Sequence, residues 1–244
     1  MKFPYGGEVS NWVRDEPKTI DDFVGRQVVW DIFYAIGKGT FTIDLGCGEG
    51  YFSRKMATVA KRVIGIDLSE KMLSLAIRRE IETPQGIEYC KGDVKNLPIN
   101  GSSSVDICVG NFVIDYIKPE DFPSFYQEIA RVLRESGHFI LLMSHPTFTL
   151  DRDYKTLRYD RLGYDYIKSK GKYFPGTIRT VDDKTLEIGL YHSTFQDHFD
   201  GIHSANLIVE RLIEPRVPVE LGQRYPIFQD LVGKTPSLVI VGRR

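Results

Sequence analysis

The sequence predicts an α/β fold, a doubly wound and mostly parallel sheet with helices on both of its faces. Short apolar strand patterns alternate with helical patterns five times between residues 41 and 144, and this order is typical of parallel sheets. The first strand, Phe41 to Leu45, leads into the turn Gly46-Cys47-Gly48-Glu49-Gly50 and then into a helical pattern. A strand, a glycine turn and a helix N-terminus together predict a ligand site at the carboxyl end of that strand.

The remaining elements follow from apolar spacing and from turn residues. The helix over residues 20–36 ends at Gly37, and a hairpin is predicted from residues 174–180 and 185–191. The tail adds a helix over residues 194–203. Seven core strands are predicted, at residues 41–45, 62–67, 87–90, 104–110, 137–144, 206–213 and 236–241.

Composition narrows the classes of partner. The 244 residues include 32 basic and 33 acidic side chains, so neither nucleic acid nor a membrane is expected as a partner. The three cysteines match no zinc spacing, and Met1 to Gly7 lacks the apolar core of a signal peptide. The longest apolar run, Phe139 to Met143, is too short to cross a bilayer. We therefore expect a cytoplasmic protein without a metal site.

The glycine turn indicates which kind of cofactor binds. Its G-x-G-x-G spacing differs from the G-x-G-x-x-G of dinucleotide enzymes, and Glu49 would repel a pyrophosphate at the helix start. Together with Asp44, Glu49 favours a nucleoside that carries a cationic amino acid. Asp67 follows Gly48 by 19 positions, which is the place of an acid that binds ribose hydroxyls, although a helix-capping role is the alternative. Asp93 follows the third strand at the cofactor edge of the sheet, where its carboxylate could accept a hydrogen bond from an adenine amino group.

These residues resemble the class I S-adenosylmethionine-dependent methyltransferases. The resemblance rests on four motifs in the order of that family: Asp44-Leu45-Gly46-Cys47-Gly48-Glu49-Gly50, Gly65-Ile66-Asp67-Leu68-Ser69, Gly92-Asp93-Val94 with Leu97-Pro98, and Ser104-Val105-Asp106. It implies a Rossmann-like sheet of seven strands with an antiparallel last strand. It also implies S-adenosyl-L-methionine as the cofactor and S-adenosyl-L-homocysteine as the product.

By the same resemblance, Gly46 and Gly48 contact the methionine part of the cofactor, with Asp44 near its ammonium group. Asp67 holds the ribose, Asp93 the adenine amino group, and Val94 packs beside the ring. Asn111 and Phe112 border the methyl group. The full predicted cofactor set is Asp44, Gly46, Cys47, Gly48, Asp67, Leu68, Asp93, Val94, Asn111 and Phe112.

One departure from other subfamilies and one looser resemblance narrow the class of methyl acceptor. After the fourth strand the chain has Asn111-Phe112-Val113, which differs from the Asn-Pro-Pro-Tyr type of motif of methyltransferases that act on nucleic-acid bases or glutamine. Residues 144–148 and 191–195, Ser-His-Pro-Thr-Phe and Tyr-His-Ser-Thr-Phe, resemble the small-molecule and natural-product methyltransferases more loosely. A small metabolite or natural-product intermediate is therefore the expected acceptor.

The domain organisation predicted from these patterns has four parts. Residues 1–36 are expected to form an N-terminal helical cap, residues 37–146 the cofactor-binding core, and residues 191–244 the C-terminal part of the core sheet. Residues 147–190 between them are too long for an ordinary connection, and loops of this length are usually lids or binding loops. We therefore expect them to form a substrate lid.

The predicted lid is rich in cations and tyrosines, with nine basic residues against six aspartates between residues 151 and 184. Arginines such as Arg158 and Arg179, interleaved with tyrosines such as Tyr159, suit an anionic acceptor, because arginine can hold a carboxylate through two hydrogen bonds. A solvated, salt-bridged lid is the alternative. Tyr5 and Trp12 could also fold over the cofactor, or simply pack.

The chemistry depends mainly on alignment, because the sulfonium already carries an activated leaving group. A hydroxyl or ammonium acceptor needs a base, for which His145 and His192 are the candidates. A carboxylate, with a pKa of about 4, needs only positioning.

The function predicted is O-methylation, at a carboxylate or hydroxyl, of a small molecule or the end of a peptide. N-methylation of an amine is the alternative within this class and would need an acidic or aromatic pocket. A non-catalytic cofactor-binding partner protein and a dehydrogenase are two further alternatives. Oligomeric state is not predicted.

Overall fold

The seven-stranded core sheet has the strand order β3-β2-β1-β4-β5-β10-β9. A computed structural model describes residues 12–148, 150 and 154–244 of the chain. The strands are β1 Phe41–Leu45, β2 Arg62–Asp67, β3 Glu88–Lys91, β4 Val105–Asn111, β5 Leu133–Ser144, β6 Leu157–Tyr159, β7 Tyr173–Arg179, β8 Thr185–Tyr191, β9 Ile208–Ile213 and β10 Ser237–Arg243.

The five strands β3, β2, β1, β4 and β5 pair in parallel, whereas β10 is antiparallel to both of its neighbours, β5 and β9. The predicted fold class, with its antiparallel last strand, is confirmed. Because parallel strands end at the same edge of a sheet, the residues that follow β1, β2, β4 and β5 converge there.

Helices cover both faces of this sheet. They are α1 Ile20–Phe23, α2 Gly25–Ile36, α3 Tyr51–Ala57, α4 Glu70–Glu82, α5 Phe122–Val132, α6 Phe195–Ser204 and α7 Val219–Arg224, with 3₁₀ turns at Val113–Tyr116, Pro119–Asp121 and Pro226–Leu231. No helix in the described part of the chain combines the length and apolar character that a bilayer crossing requires.

The core is divided by the sheet into two apolar layers. Along β5, Phe139 and Leu141 pack in the layer under α5, while Ile140 and Leu142 pack in the layer that contains Val29 of α2. This alternation follows from the period of two along a strand. Both layers are buried, as expected for a parallel sheet that helices cover on each side.

A second sheet, with the order β6-β7-β8, is formed by the insertion. The predicted hairpin is therefore confirmed as β7 and β8, and β6 adds an unpredicted strand. Its buried residues share one apolar cluster with three other segments: Ile20 and Val24 near α1, Leu221 of α7, and Phe228. The insertion thus packs on a core of its own, assembled from distant parts of the chain.

Two expectations about helices need correction. The helix predicted over residues 20–36 is interrupted at Val24, whose backbone (φ −118°, ψ −77°) departs from helical values. Helix α7 and the 3₁₀ turn Pro226–Leu231 were not predicted, because this short segment is broken by prolines and lacks a sustained apolar period. The predicted domain boundaries at residues 36, 146 and 190 remain predictions.

Gly242 offers a test of the close packing between β5, β10 and β9. A Cβ at this position would lie 2.3 Å from the Ile208 carbonyl oxygen and 2.5 Å from the Phe139 ring. We expect Gly242→Ala to lower the free energy of unfolding by about 1–3 kcal/mol, because strand backbone would have to move. Urea unfolding measures this loss.

Arg243→Ala is the matched control, since Arg243 lies beside Gly242 in β10 and its side chain forms a partly exposed ion pair with Glu210 of β9. We expect that variant to change the unfolding free energy by no more than about 0.5 kcal/mol. Equal unfolding midpoints for Gly242→Ala and the parent protein would contradict the packing described.

Candidate functional site

The glycine turn after β1 is fixed to the neighbouring strand β2. The backbone N–H groups of Gly46 and Cys47 both donate to the Ile66 carbonyl, at 2.8 and 3.0 Å, and the N–H of Gly48 donates to Asp67 Oδ2 at 2.8 Å. Gly46 has φ +67°, and a Cβ there would lie 2.6 Å from Val113. The position therefore requires glycine, both for its backbone and for the approach of the segment after β4.

Asp44, the acid that precedes the turn, is buried and lines the cavity described below. It accepts a hydrogen bond of 2.5 Å from the Ser53 hydroxyl at the start of α3. Burial raises the pKa of Asp44 to about 7, against the opposing effect of that hydrogen bond. Asp44 thus lines the cavity beside the glycine turn and ties β1 to α3, while its contact with an ammonium group stays a prediction.

The end of β4 presents Asn111 and Phe112 at the same edge of the sheet. Phe112 has a left-handed backbone, φ +63°, which turns the chain sharply after its N–H donates to the Leu142 carbonyl at 2.7 Å. Both side-chain polar atoms of Asn111, Oδ1 and Nδ2, are buried and lack a hydrogen-bond partner among the described residues. A buried amide without partners indicates a place for a polar ligand.

One cavity joins these features. It encloses about 970 Å³, its open mouth included, and it extends from the glycine turn to the second sheet. Its walls come from the N-terminal segment, from the ends of β1, β4 and β5, and from β6, β7 and β8. The lining residues include Trp12, Asp21, Asp44, Gly46, Cys47, Gly48, Tyr51, Phe52, Met72, Asn111, Phe112, Asp115, Ser144, Leu157, Tyr159, Ile178 and Ile188.

Asp115 is the most chemically distinctive group on the side of the cavity away from the glycine turn. It accepts hydrogen bonds from the Ser144 hydroxyl at 2.6 Å and from the Ser144 N–H at 3.2 Å. Burial raises the pKa of Asp115 to about 7, and the nearby Asp21 carboxylate adds to the shift. A carboxylate with such a pKa can accept a proton near neutral pH.

Tyr159 lies beside this pair, and burial raises the pKa of its phenol, with the charge of Asp115 contributing. Tyr159, Leu157, Ile178 and Ile188 form an apolar and aromatic wall, which the second sheet supplies. The predicted contact of Tyr159 with substrate agrees with this position, although the contact itself stays a prediction.

The N-terminal segment contributes a buried network of charges. Arg14 lies over the Tyr51 ring at 4.5 Å and pairs with Asp22 at 3.4 Å and more distantly with Glu49. Glu49 in turn pairs with Arg54 at 2.8 Å, and burial raises its pKa. Arg14 Nε and Glu49 Oε1 are buried without a hydrogen-bond partner among the described residues, and both side chains line the cavity.

The remaining predicted cofactor residues lie outside the enclosed cavity, at the carboxyl ends of β2 and β3. Asp67 accepts N–H bonds from Gly48 and Ser69, and burial raises its pKa. Each carboxylate oxygen has two lone pairs, so both can still accept a ligand hydroxyl. Leu68 is exposed, and Asp93 accepts from the Lys95 N–H at 2.9 Å, beside the buried Val94.

The two histidines do not lie where the sequence predicts a base, because neither lines this cavity. His145 is buried, with Nε2 at 2.8 Å from Glu214 Oε1 and Nδ1 accepting from the Thr147 and Phe148 N–H groups. His192 is buried with Nε2 at 2.8 Å from the Tyr166 carbonyl. These bonds occupy both nitrogens of His145 and one of His192, so the structure favours packing roles.

The two arginines predicted to hold a carboxylate acceptor, Arg158 and Arg179, do not line this cavity. Leu157 and Tyr159 point into it, so Arg158 between them points to the opposite face of the second sheet, where it is exposed. Arg179 pairs with Asp183 near the β7–β8 turn. Tyr5, also predicted to contact substrate, lies outside the described residues, whereas Trp12 lines the cavity.

The residues that the sequence reasoning missed are Arg14, Asp21, Asp115 and Ser144. For Asp115 and Ser144 a signal was present, because one follows β4 and the other ends β5, and strand ends meet at the ligand edge of such a sheet. For Arg14 and Asp21 no periodicity or motif marks the position, since they reach the cavity only through tertiary packing.

The residues present fit an S-adenosylmethionine molecule. The glycine turn leaves open space at Gly48, where a Cβ would meet no atom within 4 Å. Asp67 has free lone pairs at the end of β2, and the polar atoms of Asn111 are unpartnered at the end of β4. Acids and an arginine at the turn match the ammonium and carboxylate of an amino acid.

Comparison with known proteins agrees with this geometry. Residues 43–141 match the family described as a methyltransferase domain. The chain is 35% identical over 99 residues to a malonyl-[acyl-carrier protein] O-methyltransferase of Pectobacterium atrosepticum, covering 41% of this chain and 36% of that protein. It is 30% identical over 153 residues to a ubiquinone biosynthesis O-methyltransferase of Dechloromonas aromatica, covering 62% of each.

The first of these matches spans little more than a third of its relative's length. A solved structure, an S-adenosylmethionine-dependent methyltransferase from Mesorhizobium loti, superimposes with a TM-score of 0.65 at 19% identity, covering 91% of this chain and 99% of that one. S-adenosylmethionine is the cofactor of this fold class. Residues 43–141 therefore match a methyltransferase domain, and the chain has the fold of the S-adenosylmethionine-dependent methyltransferases.

Proposed function

We propose that this protein transfers a methyl group to a hydroxyl oxygen of a small, largely apolar molecule that binds under the second sheet. The main support for this proposal is the Asp115 carboxylate, which accepts a hydrogen bond from Ser144 and lines the same cavity as the glycine turn. Bound S-adenosylmethionine supplies an electrophilic methyl group on a sulfonium.

The protein's own residues have two tasks in this account. Asp67 binds the ribose hydroxyls, Asp93 the adenine amino group, and Asn111 a polar part of the cofactor or acceptor, as the resemblance expects. On the acceptor side, Asp115 removes the proton from the acceptor hydroxyl. The wall of Tyr159 and its apolar neighbours excludes water, which strengthens the electrostatic contacts inside.

The distribution of cations favours a hydroxyl over a carboxylate acceptor. Two arginines line the cavity, Arg14 and Arg26, and both already pair with Asp22, at 3.4 and 3.0 Å. The cations of the second sheet that were expected to hold a carboxylate face away from the cavity. The two curated relatives named above are both O-methyltransferases, which supports oxygen as the acceptor atom.

N-methylation of a small amine is the second candidate, and one observation favours it. Four carboxyl groups line the cavity, those of Asp21, Asp44, Glu49 and Asp115. Carboxylates and aromatic rings suit a cationic amine. The methylated product distinguishes the two candidates, because an ether or an amine is identified directly by its mass and chemistry.

Asp67→Asn tests the cofactor assignment. Asparagine keeps the shape of the side chain and removes the charge that would strengthen bonds to the ribose hydroxyls. Hydrogen bonds to charged groups contribute about 1.5–3 kcal/mol. We expect the dissociation constant of S-adenosylhomocysteine, measured by calorimetry, to rise roughly 10- to 100-fold.

Glu70→Gln is the matched control for this experiment, because Glu70 is exposed and pairs only with the surface residue Lys91 among the described residues. Its dissociation constant should match that of the parent protein. An unchanged constant in Asp67→Asn would show that Asp67 has no part in binding the ribose.

Asp115→Asn tests the proposed base. We expect methyl transfer into acceptors from a small-molecule extract of the source cell to fall about 10²- to 10⁴-fold, as for the loss of a general base. Binding of S-adenosylhomocysteine should be unchanged. The fold should also persist, because the variant no longer has a buried carboxyl group whose ionisation costs folding free energy.

The pH profile gives an independent check on the same residue. Only the ionised carboxylate accepts a proton. The value of kcat/KM of the parent protein should therefore rise with pH through a midpoint of about 7 and become constant above it. The groups that face Asp115 are Ser144, Asp21 and Tyr159. Full activity in Asp115→Asn, or a rate independent of pH between 5 and 8, would contradict the assignment. Glu120→Gln, an exposed position nearby, is the control.

A further inference from the structure

A second carboxylate lies beside the proposed base. Asp115 is bonded to Ser144, the last residue of β5, and Ser144 is the register partner of Ser237 at the start of β10. Ser237 lies next to α1 and α2, since a Cβ on Gly25 would be 2.8 Å from its hydroxyl. Asp21, four residues before Gly25, lies beside Ser237 and lines the same cavity.

Asp21 is buried, with 7% of its surface exposed. Its Oδ1 has no hydrogen-bond partner among the described residues, and the Ser237 hydroxyl nearby is likewise without a bond of normal geometry. Burial raises the pKa of Asp21 to about 6, and both the Arg26 charge and the neighbouring Ser237 hydroxyl oppose the shift. A buried acceptor in this condition costs free energy until a donor reaches it.

The fold itself makes little use of Asp21, because its neighbour Asp22 makes the structural contacts. Asp22 Oδ2 accepts from the Thr19 N–H and hydroxyl, at 2.9 and 3.0 Å, and so caps α1. Asp22 Oδ1 pairs with Arg14 and Arg26. Of two adjacent acids, one is thus committed to the helix start and the other faces the cavity.

We propose that the methyl acceptor carries a second hydrogen-bond donor, a hydroxyl or ammonium group, and that Asp21 binds this group while the reacting hydroxyl lies at Asp115. The acceptor class is then a small, apolar-walled molecule with at least two donor groups. This inference rests on the proposed function and adds the substrate class.

Selectivity follows from the same geometry. A site built to bond a substrate donor rejects an analogue that lacks it, because the buried acceptor is then left unpaired. Binding of the acceptor should therefore depend on Asp21, whereas the chemical step should depend on Asp115. The two carboxylates are expected to affect different kinetic constants.

The test uses the full chain with labelled S-adenosylmethionine and a small-molecule extract of the source cell. The labelled product is isolated, and its exchangeable hydrogens are counted by mass spectrometry in deuterated water. We expect at least one exchangeable hydrogen on oxygen or nitrogen to remain after methylation. With the acceptor so identified, Asp21→Asn should raise KM at least about tenfold and change kcat less than threefold.

Asp31→Asn is the matched control, because this acid lies on α2 and is exposed; its KM should equal that of the parent protein. Thermal unfolding of Asp21→Asn near the parent temperature excludes a folding defect. A labelled product without exchangeable hydrogens, or an unchanged KM in Asp21→Asn, would overturn the inference and leave the methyltransferase proposal intact. Absence of any labelled product would overturn the proposed function itself, and this inference with it.

Discussion

The attachment of the glycine turn to β2 is the constraint on which the rest of the site depends. Two N–H groups of the turn bond to the Ile66 carbonyl and a third bonds to the Asp67 carboxylate. The turn therefore cannot move independently of the sheet, and its open side faces the cavity. The same bonds hold the Asp67 carboxylate at the strand end, where each of its oxygens can accept a further hydrogen bond. One local arrangement thus shapes both the turn and its nearest polar partner.

The second constraint is that the cavity is lined by buried carboxyl groups that are not all paired with cations. These groups determine which hydrogen-bond donors and which protons the cavity can bind. Among the described residues, the arginines that line the cavity are Arg14 and Arg26, and both pair with Asp22. Asp115 and Asp21 lie beside serine hydroxyls and form no ion pair among the described residues, although the Arg26 charge acts on Asp21. Burial raises the pKa of both carboxyls. Carboxylates in this state are proton acceptors and donor-binding groups near neutral pH. The second sheet closes over them with aromatic and aliphatic side chains, which keeps the local dielectric constant low.

The fold and the position of the glycine turn could be predicted because their signals are local. Apolar periodicity and one glycine turn determine the order of strands and helices, and the strand ends then determine the ligand edge. The pairing of Asp21 with Asp115 could not be predicted in the same way, because these residues lie far apart in sequence and line one cavity only through tertiary packing. His145 was predicted as a base from its position after a strand, but it is hydrogen-bonded to Glu214, 69 residues away. No pattern near His145 in the sequence indicates this partner. The prediction that Arg158 contacts the acceptor has a simpler difficulty. Side chains alternate along β6, so that of Arg158 points away from the cavity.

A crystal structure of the full chain with S-adenosylhomocysteine tests most directly whether the cofactor and the acceptor share one cavity. We expect the ribose hydroxyls on Asp67, the amino-acid part against the glycine turn, and the Asn111 side chain hydrogen-bonded to the ligand or to water that the ligand orders. The space between the ligand sulfur and Asp115 should remain open for an acceptor. A ligand bound elsewhere, or one whose sulfur lies away from the part of the cavity under the second sheet, would contradict the claim that cofactor and acceptor share this cavity.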